Sequence, residues 1–197
     1  MNNYVYIVSS LPVLTPDAEV DADKVIEEIR EQCSERDRAA ISFLLDGFDG
    51  TKLDEDFYRK ALSHESSFLR GWFGYDLDVR NAKARYLNRQ FGRPEDMDTV
   101  SLGEEEEREF EEAPLLGEVL GGDDILKREK ALDDLAWKKI DELTAFDYFD
   151  LDAILGFIAK LKITDRWIRL DEQTGRELFR RFSEEVRASF KGVDFDG

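Results

Sequence analysis

Apolar side chains recur along the chain at helical spacing, with charged residues filling the opposite faces. The opening stretch, residues 1–14, departs from this. Tyr4, Tyr6 and Val8 alternate with Val5 and Ile7, so both faces are apolar. That pattern fits a buried strand or one buried helical turn, and Pro12 and Pro16 end it in either case. Residues 17–46 read as helix, with Asp21 or Asp23 as cap and Glu27 and Glu28 in the first turn. Val25, Ile26, Ile29 and Cys33 share one side, which Ala40, Ile41, Leu44 and Leu45 continue. The polar residues 34–38 are a candidate break into two shorter helices. Residues 46–52, DGFDGTK, predict a turn. A helix over 54–71, capped by Asp54, carries Phe57, Tyr58, Ala61, Leu62, Phe68 and Leu69. Gly71 and Gly74 flank Trp72 and Phe73 and predict a tight junction. A third helix over 76–91, headed by Asp76 or Asp78, then runs to the stop signal Gly92-Arg93-Pro94.

Beyond Pro94 the pattern weakens and the charge changes. Residues 95–124 hold thirteen acids and one base, which accounts for twelve of the chain's eighteen net negative charges. This stretch reads as an exposed connection, although Phe110, Leu115, Leu116, Val119 and Leu120 predict that part of it docks. Helix character resumes over 123–145. Residues 146–152, FDYFDLD, form an aromatic-acidic corner with Asp150 as a candidate cap. Leu151, Ile154, Leu155, Ile158 and Leu161 then mark an amphipathic helix over 151–163, which Thr164 and Asp165 either interrupt or continue. Another helix is expected over 174–190, before a fraying tail at 192–197. With no hairpin or βαβ signal, the expected class is all-α, a bundle of antiparallel helices. Its parts are an N-terminal half (1–94), an acidic connection (95–122) and a C-terminal half (123–197), with the halves packed as one domain or open as a clamp.

Charge narrows the function. Lys and Arg number 28 against 46 Asp and Glu, a net charge of -18, and the sequence pI is about 4.5. Phosphate backbones and anionic lipid both demand basic surface, so nucleic-acid binding and direct membrane docking are not expected. One cysteine excludes an internal disulfide, and a single histidine with it excludes a multi-His or multi-Cys zinc cage. Residues 1–14 lack a basic n-region, and no apolar run approaches a membrane span. A cytoplasmic protein follows, reaching the inner membrane only through partners.

Candidate chemistry is sparse. Asp123 and Asp124 follow two glycines but lack calcium-loop spacing, so they read as an acidic helix start. Cys33 and His64 are the one conceivable thiol–imidazole pair, with Cys33 more simply a small core residue. No phosphate-binding glycine loop is present. Glu104, Glu105, Glu106 and Glu107 form a solvated run suited to a basic partner. Asp78, Asn81 and Arg85 fall at i, i+3 and i+7, on one helix face. An amide between an acid and a guanidinium reads as a polar bridge between two helices or as a partner-binding face. No catalytic residue, metal or cofactor is assigned.

The same segment carries a resemblance. Tyr75, then Asp78-Val79-Arg80-Asn81, Lys83 and Arg85 resemble the aromatic-Asp-x-x-Asn pattern and basic helix of the C subunit (eukaryotic d subunit) of V/A-type rotary ATPases. Phe48-Asp49-Gly50-Thr51 is a weaker echo that lacks the Asn. Residues 151–160 look like a later helix of that family, and residues 165–170 like its continuation. The whole chain, from Tyr4, Tyr6 and Ser10-Leu11-Pro12 onward, is more similar to a bacterial domain family of unknown function encoded with V-type ATPase genes. The C subunit is longer, and this chain has room for about half of it. The resemblance implies a non-catalytic subunit or assembly protein whose partners are central-stalk or rotor-ring subunits. Partner contacts would lie on Asp78, Asn81, Arg85 and residues 104–107. The alternatives are a carboxylate-based divalent-metal enzyme and a cytosolic helical adaptor unrelated to rotary ATPases.

Overall fold

The computed structural model describes residues 4–14, 20–102 and 110–169. The helix expected over 174–190, the tail after it and the glutamate run 104–107 lie outside the described residues. Helices are the only regular elements among those described: α1 Val5–Ser10, α2 Ala22–Gln32, α3 Glu35–Asp46, α4 Glu55–Leu62, α5 Ser67–Gln90, α6 Ala113–Leu120, α7 Ile125–Leu143 and α8 Leu151–Arg169, with a 3-10 turn at Gly50–Lys52.

Short polar side chains set most helix starts by accepting an otherwise unpaired N–H of the first turn. Asp21 accepts from Lys24, Ser34 from Asp37, Asp54 from Phe57, Ser66 from Leu69 and Asp124 from Lys127. Asp150 accepts from Ala153 at 3.1 Å. The opening stretch resolves as a helical turn. The break within 17–46 falls at Cys33-Ser34, and Ser34 caps α3.

Two expectations are corrected. Gly71 and Gly74 do not end a helix; they lie inside α5, which runs unbroken for 24 residues. The break comes earlier, at residues 63–66, where Ser66 captures the N–H of Leu69 at 3.1 Å. Close packing explains Gly71: a Cβ there would sit 2.4 Å from Leu143 Cδ2. Nor do Asp76 and Asp78 head a helix, since both lie in the middle of α5. Asp76 instead accepts from Tyr58 Oη at 2.6 Å and from Arg80 Nε at 2.7 Å.

Helix α5 is the hub. It packs against α4, α6, α7 and α8, and α8 also touches α2, α3 and α7. One core runs from Tyr4 and Ile7 through Ile41, Leu44, Tyr58, Phe68 and Phe73 to Ile154, Ile158 and Leu161. Residues from the first and the last described helices therefore enter the same apolar interior. Aromatic rings thicken it: Phe57 stacks on Phe43 at 4.8 Å and meets Phe73 edge-on at 4.9 Å. A smaller cluster, Leu116, Leu120 and Leu132, sits beside Val79, Ala82 and Tyr86. Its side chains come from α5, α6 and α7, so part of the acidic stretch docks, as expected from Phe110, Leu116, Val119 and Leu120, while Leu115 is exposed.

Polar fasteners hold α7 and α8 together. Asp133 accepts from Arg166 and from Trp167 Nε1, each at 2.5 Å, and Lys160 pairs with Asp141. Asp152, in the first turn of α8, accepts from Ser66 Oγ at 2.7 Å, Ser67 Oγ at 2.5 Å and the Phe68 N–H at 3.1 Å. One carboxylate thus joins the N-termini of α5 and α8, where helix dipoles favour negative charge.

Candidate functional site

Asp78, Asn81, Arg85 and Asn88 follow one another at steps of three or four along α5, so they line one face. The helix then reverses. Gly92 takes a left-handed φ of 63°, its N–H reaches the Arg89 carbonyl, and the Arg93 N–H reaches the Asn88 carbonyl at 2.8 Å. Residues 94–102 return along that face as a strap, passing through a turn at 95–98 in which Asp98 takes a φ of 61°. Asn81 holds the strap with both ends of its amide: Nδ2 donates to the Val100 carbonyl and Oδ1 accepts the Val100 N–H, each at 2.9 Å. Asn88 Nδ2 donates to the Glu95 carbonyl at 3.0 Å and the Met97 carbonyl at 2.6 Å. Between them Arg85 Nε donates to Asp96 at 3.4 Å.

The polar bridge expected at Asn81 is therefore present, but it ties a helix to a strap rather than to a second helix. A side-chain amide matches a peptide group in donor and acceptor, so it can pair with backbone in a segment that has no ladder of its own. Asn88 escaped sequence reasoning. Its signal was available, since it sits seven residues after Asn81 on the same face and is buried.

Between α5, the strap and α6 lies an open cavity of about 250 Å³. Asp78, Asn81 and Arg85 all line it, over apolar walls from Leu77, Phe110 and Leu116. Gly117, also in the lining, has nothing within 4 Å of where a Cβ would stand, so the α6 wall is open there. Asp78 and Arg85 are half-buried. The groove is lined by a carboxylate, an amide largely spent on the strap and a guanidinium bonded to Asp96, over apolar surface.

The remaining reactive side chains are placed elsewhere. Cys33 is buried at 3% exposure, and burial pushes its thiol up. His64 Nδ1 accepts the Ser66 N–H at 3.0 Å, and its ring lies near Phe43. Burial foremost, then the nearby Arg70 guanidinium, lowers the His64 pKa. Burial and the Asp76 carboxylate hold the Tyr58 phenol far above its ordinary value. Among the described residues no group of three or more His, Cys, Asp or Glu is arranged to hold a metal ion. No described helix is long and apolar enough to cross a membrane.

Comparison with known families adds one finding. Residues 50–189 match the model of the family described as "Protein of unknown function (DUF2764)". The chain belongs to this family. No curated protein and no solved structure matches the chain. The DUF2764 match takes in α4 through α8, and so both Asp78, Asn81 and Arg85 and the run 104–107. Membership accounts for the domain-family half of the resemblance and carries no statement about rotary ATPases.

Proposed function

We propose that this chain is a non-catalytic subunit or assembly protein of a bacterial V-type rotary ATPase, linking rotor or stalk components. The reading rests on the likeness of Tyr75 and residues 78–85 to the aromatic-Asp-x-x-Asn pattern of the rotary-ATPase family. One observation gives that likeness a physical setting: Asp78, Asn81 and Arg85 stand on one long helix at the wall of an open groove. An antiparallel helical bundle of the kind found in that family belongs to the same proposal. So does a cytoplasmic location, peripheral to the inner membrane through partner proteins.

The mechanism is mechanical. A long helix packed on four others gives a stiff body, and the strap stiffens its free end. Acidic surface steers basic partners and disfavours wrong ones. The test is a tagged pull-down from solubilised membranes and cytosol of the native bacterium, read by mass spectrometry. Enrichment of stalk or ring subunits over untagged controls is the expected result. Their absence, with the bait recovered intact, overturns the proposal.

A further inference from the structure

The aromatic-acidic corner between α7 and α8 takes no part in the groove. Its rings are turned to solvent: Phe146 is 88% exposed, Tyr148 66% and Phe149 46%. Helix α1 packs at the same corner. The Tyr4 N–H donates to the Phe149 carbonyl at 2.7 Å, which fixes α1 against the corner, and Tyr6 two residues on is 90% exposed. Solitary exposed apolar residues are ordinary, but three exposed rings within four consecutive residues mark a candidate interaction site.

The charge beside these rings has one sign. Asp147, Asp150 and Asp152 lie within six residues, and no Lys or Arg forms an ion pair with any of them among the described residues. Elsewhere the surface carboxylates are commonly paired, as Asp133 is with Arg166 and Asp141 with Lys160. Burial and mutual repulsion push the Asp147 carboxyl up, as expected where negative charge is locally in excess.

We infer that the corner carrying Phe146, Tyr148 and Phe149 docks a lysine- or arginine-bearing segment of another protein. Cations bind over ring faces, and the methylene stems of Lys and Arg cover the rings. Asp147 supplies the complementary charge nearest the rings, and Asp150 and Asp152, though bonded at the helix starts, carry no cationic partner among the described residues and add to its field. Two other occupants fit less well. A second copy of this chain would set one acidic face against an identical one. An anionic lipid surface would meet the same repulsion. This inference stands without the rotary-ATPase reading, because any basic partner satisfies it.

The test is a fluorescence-anisotropy titration of the full chain with dye-labelled nona-arginine at about 0.15 M salt. The double substitution F146S/Y148S changes no charge and touches only exposed rings. It weakens binding about fivefold, while L87S/F91S, exposed apolar positions on and just beyond the C-terminal end of α5, leaves it within about twofold. D147N weakens binding by a smaller factor. Unchanged affinity in F146S/Y148S overturns the inference, as does an equal loss in L87S/F91S or no binding by the parent chain. Two further results also overturn it: phosphatidylserine-vesicle co-sedimentation that F146S/Y148S abolishes, or a dimer in sedimentation velocity that it dissociates. Loss of stalk subunits from the pull-down bears on the rotary-ATPase reading alone.

Discussion

At His64 the fold needs a hydrogen-bond acceptor, and only the neutral imidazole supplies one. Nδ1 receives the Ser66 N–H, and that bond helps turn the chain from α4 into the cap of α5. Burial, with the Arg70 charge, holds the folded-state pKa below the ordinary 6.5. The unfolded chain therefore takes up the proton first. Above about pH 7 both states are neutral and the group contributes nothing to pH dependence. As pH falls through 6.5 stability is lost, until the folded form also protonates. Asn at this position keeps an acceptor for the N–H two residues on and does not titrate. Urea unfolding between about pH 7 and 5.5 should show stability falling with pH in the parent chain and a shallower fall in H64N. Asp147 acts in the opposite direction, since its raised carboxyl favours the folded form as pH falls, but it is common to both proteins and cancels in the comparison.

Among the elements, the glycines inside helices show what sequence patterns convey and what they do not. The apolar stripe correctly marks helix on both sides of residues 63–66, so periodicity alone passes over the break. Two glycines around Trp72 and Phe73 look like a breaker because glycine weakens isolated helices. In three dimensions Gly71 admits Leu143, and Gly156 admits Thr144, whose Cγ2 would lie 2.5 Å from a Cβ. The Thr144 hydroxyl donates to the Ile140 carbonyl at 2.8 Å, which fixes its rotamer. Leu143 can swing its terminal methyl aside. G156A should therefore cost about 1–2 kcal/mol in urea unfolding despite better helix propensity, and G71A distinctly less. Equal costs would contradict this packing account. The strap is a second case. A polar contact at Asn81 is legible because an amide turned inward from a packed helix needs partners. The partner itself is not, because residues 95–102 carry no periodicity to place them. N81A should raise hydrogen exchange at the Val100 amide by about tenfold or more while leaving core amides protected. Unchanged exchange at Val100 would show that the strap is held by other contacts.

For the whole molecule, the all-helical class and most caps are written in the local sequence, since each depends on neighbours within four residues. The shared core is not. Ile7, Leu44, Phe73 and Ile158 join one cluster only after the chain folds, and no local pattern announces that α1 and α8 contribute to one interior. That enclosure is what a mechanical role requires, because load passes between partners only through a body that does not open. The acidity is legible from composition, yet its use depends on who the partner is. The central claim is direct association with a rotary ATPase. Its most direct measurement is sedimentation velocity of the purified chain mixed with the purified central-stalk subcomplex of its own bacterium, at low and at physiological salt. The account predicts a co-sedimenting complex that weakens with salt, and weakens further at low salt when residues 104–107 are changed to Lys. Two species sedimenting independently at both salts would contradict it.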